Sequence, residues 1–418
     1  MILELHDTLI VGGGLQGATI ALELAHRGRR SVILDQDDRL VNRASLRNEG
    51  KIHLGLIYAA DPTFSTASIQ LQGALTFAPL LRRWLGARWH DVGISTPFAY
   101  LVAQDSLWAP DPLADHYDRL SQECRRRLEA DTRLDYLGAR PVDLASRMAD
   151  DDAARWFAIE QLAAVFSTDE RAVDTDDLAR ALRAAVDADP LIRVLGSHRV
   201  EDVSRTSGGI VVQGQRPDGT FAISAPQVVN CTWEDRFRLD LMMGLTPPSG
   251  WLHRLKYRTL ARLPASHRHA PSATMVLGAY GDVVVRPSGV AYLSWYPTAL
   301  RGWTHDVAPP ADWNAACRGD VAPDVAREVS AAALHHIDAW FPGIGACEVT
   351  AVDAGAIVAY GETDVDDWQS GLHDRTRIGV NGGGDYFSVD PGKLTTAPLF
   401  AMHAADAIAG ATDEQSWW

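Results

Sequence analysis

The amino-acid sequence predicts an α/β fold in which a Rossmann-like domain is interrupted by an inserted α+β domain built on an antiparallel sheet. Residues 8–35 show a strand, a glycine-rich turn, a helix and a second strand in that order. Beyond Leu252 the pattern changes to alternating strands rich in aromatic residues, which indicates a second kind of sheet. A chain of 418 residues with 46% hydrophobic content is large enough to form a core in each domain.

Composition argues against several classes of protein. With 39 basic and 54 acidic residues the net charge is −15, which disfavours non-specific binding to nucleic acid or to anionic membranes. Four well-separated cysteines form no CxxC pair, so neither a disulfide framework nor a metal site is predicted. No apolar run approaches the roughly twenty residues of a membrane span and no signal peptide is recognisable, so we expect a cytoplasmic protein.

The glycine-rich turn has the spacing of a dinucleotide-binding fingerprint. An apolar strand, Thr8–Val11, runs into the sequence GGGLQG at residues 12–17. Gly12 permits a sharp turn, Gly14 lets the backbone approach a pyrophosphate, and Gly17 lets the following helix lie close to the strand. The free N–H groups at the start of that helix are suited to bind phosphate oxygens.

An acidic residue completes the fingerprint. Helical spacing over Ala18–Arg27 precedes a second apolar strand, Ser31–Leu34, which ends at Asp35. A carboxylate about twenty residues after the glycines accepts hydrogen bonds from a ribose diol. Because strand, glycines, helix, strand and acid occur in register, an accidental glycine-rich turn is a poor explanation of the pattern.

The remaining elements follow from hydrophobic periodicity and turn residues. Helices are predicted at Thr66–Leu85 with a potential kink at Pro79, at Leu113–Leu128, from an Asp174 or Thr175 cap to Val186, at Val321–Phe341, and from near Asp390 to Ile408. Arg147–Leu162 is interpreted as an acidic helical connection. Strands are predicted at Ile94–Ala103, Ile192–Leu195, Val200–Arg205, Ile210–Gln215, Phe221–Ser224, Gln227–Trp233, Asp282–Arg286, Val290–Tyr296 and Ile378–Asn381.

Three separated pieces of the chain resemble one family. Residues 45–55 (S-x-R-N-x-G-x-I-H-x-G) resemble the segment that follows the ribose-binding acid in L-2-hydroxyglutarate oxidases. Residues 52–58 (I-H-x-G-L-x-Y) and 392–396 (GKLTT) resemble motifs of flavin-linked glycerol-3-phosphate dehydrogenases. Together with the fingerprint, they make the sequence resemble the FAD-dependent oxidoreductases of the D-amino-acid oxidase (DAO) type, which include these enzymes and glycine oxidase.

The resemblance implies FAD as the cofactor and two domains that alternate along the chain. The FAD-binding domain is assigned residues 1–88, 145–248 and 345–418, and the substrate domain residues 89–144 and 249–344. Backbone N–H groups around Gly392–Leu394, with the charge of Lys393, are expected to stabilise negative charge on reduced flavin. The predicted cofactor-binding set is Gly12, Gly14, Leu15, Gln16, Gly17, Asp35, Gln36, Arg43, Ser45, Arg47, Asn48, Gly50, Lys51, His53, Val200, Cys231, Thr232, Gly384, Asp385, Gly392, Lys393, Leu394 and Thr395.

His53, Tyr296 and Arg286 are the predicted catalytic residues. Among 14 histidines only His53 lies inside the flavin-wrapping motif, and an imidazole takes up a proton near neutral pH. Alternatively, His53 orients the flavin or carries a covalent flavin link, as a motif histidine does in dimethylglycine dehydrogenase relatives. Tyr296 ends a hairpin that resembles the strand pair facing the flavin. Arg286 is a candidate for an anionic substrate group, with a solvated strand end as the alternative.

The chain departs from the family where amino-acid oxidases carry a carboxylate-binding arginine. The corresponding residues 357–361 (IVAYG) contain none, which argues against a simple glycine-like substrate. His373 and Arg375 in the next polar loop are substitute candidates, an exposed loop being the alternative.

The predicted function is oxidation of a C–N bond of an amine or amino-acid-like small molecule by hydride transfer to flavin N5. The alternatives are oxidation of a C–OH bond in a hydroxy acid or polyol derivative, a non-catalytic flavoprotein, and an NAD-dependent enzyme. The C-terminal glycine-lysine motif argues against NAD. The sequence leaves open the electron acceptor, oxygen or another compound, and the oligomeric state.

Overall fold

The computed structural model describes residues 3–5, 7–278, 280–363, 365 and 367–410, and all helices and strands assigned to the protein belong to this part of the chain. The strands are β1 Leu3–Glu4, β2 Thr8–Val11, β3 Ser31–Leu34, β4 Lys51–Ile52, β5 Phe98–Ala103, β6 Ala145–Arg147, β7 Leu162–Thr168, β8 Arg171–Ala172, β9 Ile192–Leu195, β10 Arg199–Thr206, β11 Gly209–Arg216, β12 Gly219–Ala225, β13 Gln227–Asn230, β14 Trp251–Arg262, β15 Ser272–Val276, β16 Gly281–Val285, β17 Val290–Trp295, β18 Leu300–Thr304, β19 Glu348–Tyr360, β20 Gly379–Gly383 and β21 Tyr386–Asp390. The α-helices are α1 Leu15–His26, α2 Ser65–Leu85, α3 Pro110–Ala130, α4 Asp150–Ala153, α5 Thr175–Ala188, α6 Arg236–Met242, α7 Tyr296–Ala299, α8 Trp313–Cys317, α9 Pro323–Asp338 and α10 Ala397–Ala409. Short 3-10 helices include Leu56–Tyr58, Gly371–His373 and Leu394–Thr396.

A six-stranded sheet in the order β20-β21-β13-β2-β3-β9 forms the Rossmann-like domain. All its neighbouring strands are parallel except the β20–β21 pair. Every residue of β2 and β3 is buried, as expected where helices cover a parallel sheet. The loops that follow β2, β3 and β13 leave the same edge of this sheet, where α/β folds bind their ligands.

A second sheet of nine strands, within the described residues, has the order β18-β14-β17-β16-β15-β5-β7-β6, and β19 pairs with β14. It contains the predicted hairpin, seen as β16 and β17. It also contains β6, β7 and β19, which the sequence-based boundaries assign to the FAD-binding domain. Those boundaries therefore differ from the sheet pairing, because hydrogen-bonding partners distant in sequence leave no local pattern.

The predicted helical connection over residues 147–162 is wrong in most of its length. Only the four residues of α4 are α-helical there, a 3-10 turn covers Ile159–Gln161, and β6 and β7 flank the segment. The three aspartates that open α4 favour a helix start, but β7 continues with buried residues that pair with β5. Tertiary pairing overrides the local helical pattern.

Helix α2 packs tightly against the C-terminal motif. A Cβ atom at Gly73 would lie 2.7 Å from the Thr396 side chain and 3.0 Å from the Thr395 carbonyl oxygen. Glycine at this position therefore allows α2 to approach the Leu394–Thr396 turn that leads into α10. Within the described residues, no helix has the length and apolar character needed to cross a membrane.

Candidate active site

A continuous cavity runs from the glycine-rich turn to the start of the last helix. We call the part lined by Gly12, Gly14 and Asp35 the nucleotide end, and the part lined by His53, Arg375 and Lys393 the basic end. The predicted cofactor-binding residues that line this cavity are Gly12, Gly14, Leu15, Gln16, Asp35, Gln36, Arg43, Ser45, Arg47, Asn48, Lys51, His53, Val200, Cys231, Thr232, Gly392, Lys393 and Leu394.

The nucleotide end has the geometry that a dinucleotide requires. Gly12 adopts φ +101, and a Cβ atom at Gly17 would lie 1.9 Å from the Gly12 carbonyl oxygen, so only glycine permits this turn. The Asp35 carboxylate accepts the Gly13 N–H at 2.6 Å, and the Ser45 hydroxyl accepts the Leu15 N–H at 2.9 Å. Free lone pairs of Asp35 remain for a ribose diol, and Gly14 lines the cavity without a side chain, which leaves its backbone accessible to a pyrophosphate. The residues present therefore fit FAD.

Charged residues at the nucleotide end are paired with one another. The Arg43 guanidinium lies 3.1 Å from Asp37 and 3.6 Å from Glu234, and Arg47 lies 3.4 Å from Asp353. Burial raises the pKa of Glu234 to about 7. Sequence reasoning missed Glu234 and Asp353, because both come from segments far from the fingerprint.

Some predicted cofactor residues lie outside the cavity wall. Gly384 and Asp385 form the turn between β20 and β21, where Asp385 pairs with Arg205 at 3.1 Å. This turn precedes β21, whereas the cavity lies beyond the carboxyl end of that strand, so the prediction placed it at the wrong end of the sheet.

Three further predicted cofactor residues, Gly17, Gly50 and Thr395, do not line the cavity but are adjacent in the chain to residues that do. A Cβ atom at Gly50 would lie 2.1 Å from the Val173 carbonyl oxygen. The Thr395 hydroxyl accepts the His53 N–H at 2.9 Å, which fixes the backbone of His53 against the C-terminal motif.

His53 lies at the basic end between two carboxylates. Its ring is buried, with Nε2 at 3.8 Å from Glu49 and Nδ1 at 3.7 Å from Glu170. Burial acts to raise the pKa of each glutamate, but contact with His53 and nearby lysines outweighs it and lowers both values. Both carboxylates are therefore ionised at neutral pH and face the imidazole. Sequence reasoning did not select either one.

Three lysines line the basic end of the cavity and contribute positive charge to it. Lys51 lies 3.0 Å from Asp282, and Lys256 on β14 lies 3.9 Å from the same carboxylate. Burial and neighbouring cations lower the pKa of Lys393 to about 8, against the opposing charge of Glu49. A cluster of buried cations favours negatively charged groups in the cavity.

The predicted catalytic residues other than His53 do not line the cavity. Tyr296 accepts a hydrogen bond from Arg254 and lies 5.0 Å, ring centroid to Nζ, from Lys256, so it is next to the basic end. Arg286 lies 3.4 Å from Asp174 and 3.2 Å from Asp176. These contacts attach the sheet to the start of α5, and Arg286 is consequently not available to a substrate in the cavity.

The two residues considered as substitute anion contacts, His373 and Arg375, differ in their position relative to the cavity. His373 Nε2 contacts the Asp367 carbonyl oxygen at 3.0 Å and is outside the cavity lining. Arg375, by contrast, is buried and lines the basic end. Trp295, the last residue of β17, stacks on His336 with 5.1 Å between the ring centroids and is outside the cavity lining.

Residues 7–407 match the model of the family described as FAD dependent oxidoreductase (DAO), and the chain belongs to this family. It is an FAD-dependent oxidoreductase of the DAO type, which sets aside the NAD alternative.

Individual proteins to which the chain is similar include one curated relative and several solved structures that share the fold. An opine oxidase subunit from Agrobacterium tumefaciens (strain Ach5) is 25% identical over 260 residues, covering 58% of this chain and 60% of that protein. The chain thus spans about three fifths of the length of this relative. Glycine oxidase from Geobacillus kaustophilus superposes with a TM-score of 0.67 at 20% identity, over 98% of this chain and 96% of that one. L-α-glycerophosphate oxidase from Mycoplasma pneumoniae, with FAD bound, gives 0.62 at 15% identity, over 96% and 94%.

Proposed function

We propose that this protein oxidises a C–N bond of an amine or amino-acid-like small molecule, with hydride transfer to flavin N5. The observation that carries the proposal is the basic end of the cavity, where Lys256, Lys393 and Arg375 line the wall together with Glu49. Such a site favours a substrate with an anionic group beside the reacting carbon.

The named relatives support a C–N substrate. The curated relative is an opine oxidase subunit and one structural neighbour is a glycine oxidase. Opines and glycine both carry an amine next to a carboxylate, which fits the charges at the basic end.

The protein contributes binding, orientation and charge to this reaction. FAD, when bound, supplies the hydride acceptor. Lys393 and the N–H groups around Gly392 are placed to stabilise negative charge at the start of α10. His53, held by Thr395 and flanked by Glu49 and Glu170, is placed to orient a substrate or to exchange a proton with it.

Oxidation of a hydroxy acid or polyol derivative is the second candidate. His53 favours it, because removal of an alcohol proton requires a base and the imidazole is flanked by two carboxylates. A structural neighbour is an L-α-glycerophosphate oxidase.

Anaerobic spectroscopy of the purified protein distinguishes the candidates. We expect acid precipitation to release the flavin into the supernatant, and we expect an amino acid or iminodiacetate to bleach the visible flavin band. Bleaching by L-2-hydroxyglutarate or glycerol 3-phosphate alone would establish the second candidate. Bleaching by dithionite but by none of these compounds would contradict both, and admission of air then tests oxygen as the acceptor.

A further inference from the structure

Arg375 is a buried cation for which the described part of the chain supplies no paired anion. Its side chain is 7% exposed, and it lines the basic end of the cavity with His53 and Lys393. Among the described residues it forms no side-chain hydrogen bond or ion pair, and its buried Nε has no acceptor. Asp390, whose charge acts on Arg375, is itself paired with Arg236 at 2.6 Å.

The other charges nearby do not balance Arg375. Lys51 and Lys256 share Asp282, and the charge of Glu49 acts on Lys393. Burial, together with the neighbouring Arg254, lowers the pKa of Arg375, although a guanidinium remains charged at neutral pH. A buried charge is stable only when an opposite charge or several acceptors accompany it.

A second buried donor, the Tyr58 hydroxyl, belongs to a ring that packs against His53. The Tyr58 hydroxyl is buried and has no hydrogen-bond partner among the residues that the structure describes, and its ring lies 5.7 Å from that of His53. Burial raises the pKa of Tyr58, and the positive charge of Arg375 acts in the opposite direction. Two donors without an acceptor match the oxygens of a carboxylate.

The chain fixes Arg375 relative to the C-terminal motif. The backbone N–H of Arg375 donates a hydrogen bond to the Thr66 hydroxyl on α2 at 3.0 Å. Helix α2 in turn packs against the Leu394–Thr396 turn. On β19, where the family resemblance leads one to expect an arginine, Ile357 lines the cavity instead. The guanidinium thus enters from the segment between β19 and β20.

We propose that Arg375 is the residue that binds the carboxylate of the substrate, assisted by Tyr58, so that the substrates are amines that carry a carboxylate. This assignment rests on the proposed function. It assigns the anion contact to the segment between β19 and β20, whereas the family resemblance leads one to expect it on β19.

Acetate binding to the flavin-loaded protein tests the assignment without turnover. We expect acetate to perturb the visible flavin spectrum saturably, and the uncharged isostere acetamide not to do so. In Arg375→Met, which keeps the side-chain length, acetate affinity should fall by about tenfold or more, as expected for loss of a charge-assisted contact. Arg377→Met is the matched control, because Arg377 is in the same segment but outside the cavity lining, and it should bind acetate like the wild type.

Wild-type acetate affinity in Arg375→Met would overturn the assignment. If that variant fails to fold or to hold flavin, Arg375→Lys and Tyr58→Phe replace it, each with an expected loss of about threefold or more in acetate affinity. Unchanged affinity in both would overturn it equally.

The proposed function is tested separately by flavin reduction. With an amino acid that bleaches the wild type, Arg375→Met should raise KM at least about tenfold with a smaller change in kcat, because a binding contact is lost. If acetate binds through Arg375 but no amine reduces the flavin, the proposed function fails and the anion site stands. If amino acids reduce Arg375→Met with wild-type KM, the function stands and the assignment fails.

Discussion

The two ends of the cavity are built in different ways. The nucleotide end comes mainly from the stretch of residues 11–48 and depends on backbone contacts such as the Gly13 N–H to the Asp35 carboxylate. The basic end combines side chains distant in sequence: Lys51, His53, Lys256, Tyr292, Ile357, Arg375 and Lys393. Charges are paired at the first end and in excess at the second. The difference teaches that local backbone shape builds the nucleotide end, whereas long-range packing builds the end at which we propose that the substrate binds.

Gly14→Val should break the nucleotide end and have the largest effect. Gly14 and Ser45 both line the cavity, and a Cβ atom at Gly14 would lie 2.9 Å from the Ser45 hydroxyl, so we expect a valine to displace Ser45 and to obstruct the pyrophosphate position. We expect complete loss of bound flavin, measured as the ratio of visible to ultraviolet absorbance. Gly208→Val, where the added atoms meet open space, is the control. Normal flavin content in Gly14→Val would disprove the fingerprint assignment.

His53→Ala should affect the basic end alone. Loss of the imidazole between Glu49 and Glu170 removes the group placed for proton exchange, so we expect turnover to fall by about a hundredfold or more. Flavin content should change little. His90→Ala, at an exposed position, is the control. A fully active His53→Ala variant would reduce His53 to a packing role.

Arg286→Met should reduce stability without altering substrate binding. Its partners Asp174 and Asp176 would lose a buried cation, which costs about 3 kcal/mol of unfolding free energy. Urea denaturation measures this loss, and Arg262→Met, an exposed ion-pair residue of the same sheet, should cost less than about 1 kcal/mol. A raised KM with unchanged stability would indicate instead that Arg286 binds the substrate.

Gly73→Ala should test whether the two ends depend on the same packing. The added methyl group meets Thr395 and Thr396, and overpacking typically costs about 1–3 kcal/mol, offset in part by the better helix propensity of alanine. We expect a net loss of about 1 kcal/mol in urea denaturation and weaker flavin retention. Gly383→Ala, with no neighbour at the added atom, should match the wild type. Equal stability of the two variants would show that α2 adjusts to the extra methyl group.

The smallest effect should be a pH dependence from Lys393. Its pKa in the folded protein is about 8, below the ordinary lysine value, so the folded flavin-free protein binds fewer protons than the unfolded chain above that pH. Stability should therefore rise as the pH increases from about 8 towards the ordinary lysine value, with Lys393 destabilising at lower pH. Urea titrations of Lys393→Met should show this rise reduced. An identical rise in the variant would assign it to other groups.

The local elements that carry the fingerprint were predictable because they depend on short-range rules. The strand Thr8–Val11, the following glycines and the strand Ser31–Leu34 agree with the structure at their predicted bounds. Residues 147–162 were predicted wrongly because the strand pairing of Leu162–Thr168 with Phe98–Ala103 depends on a distant partner. Gly384 and Asp385 were misplaced because a glycine-rich turn does not reveal on which edge of a sheet it lies.

By itself the sequence determined the family, the FAD fingerprint and the motif around His53, since these are contiguous residues whose spacing defines their geometry. Only the tertiary structure decided which charged groups meet. It paired Arg286 with Asp174 outside the cavity lining, placed Glu49 and Glu170 on either side of His53, and buried Arg375 in the cavity wall. The physical reason is that the environment of a charged side chain depends on which strands and helices pack around it, and those neighbours come from distant parts of the chain.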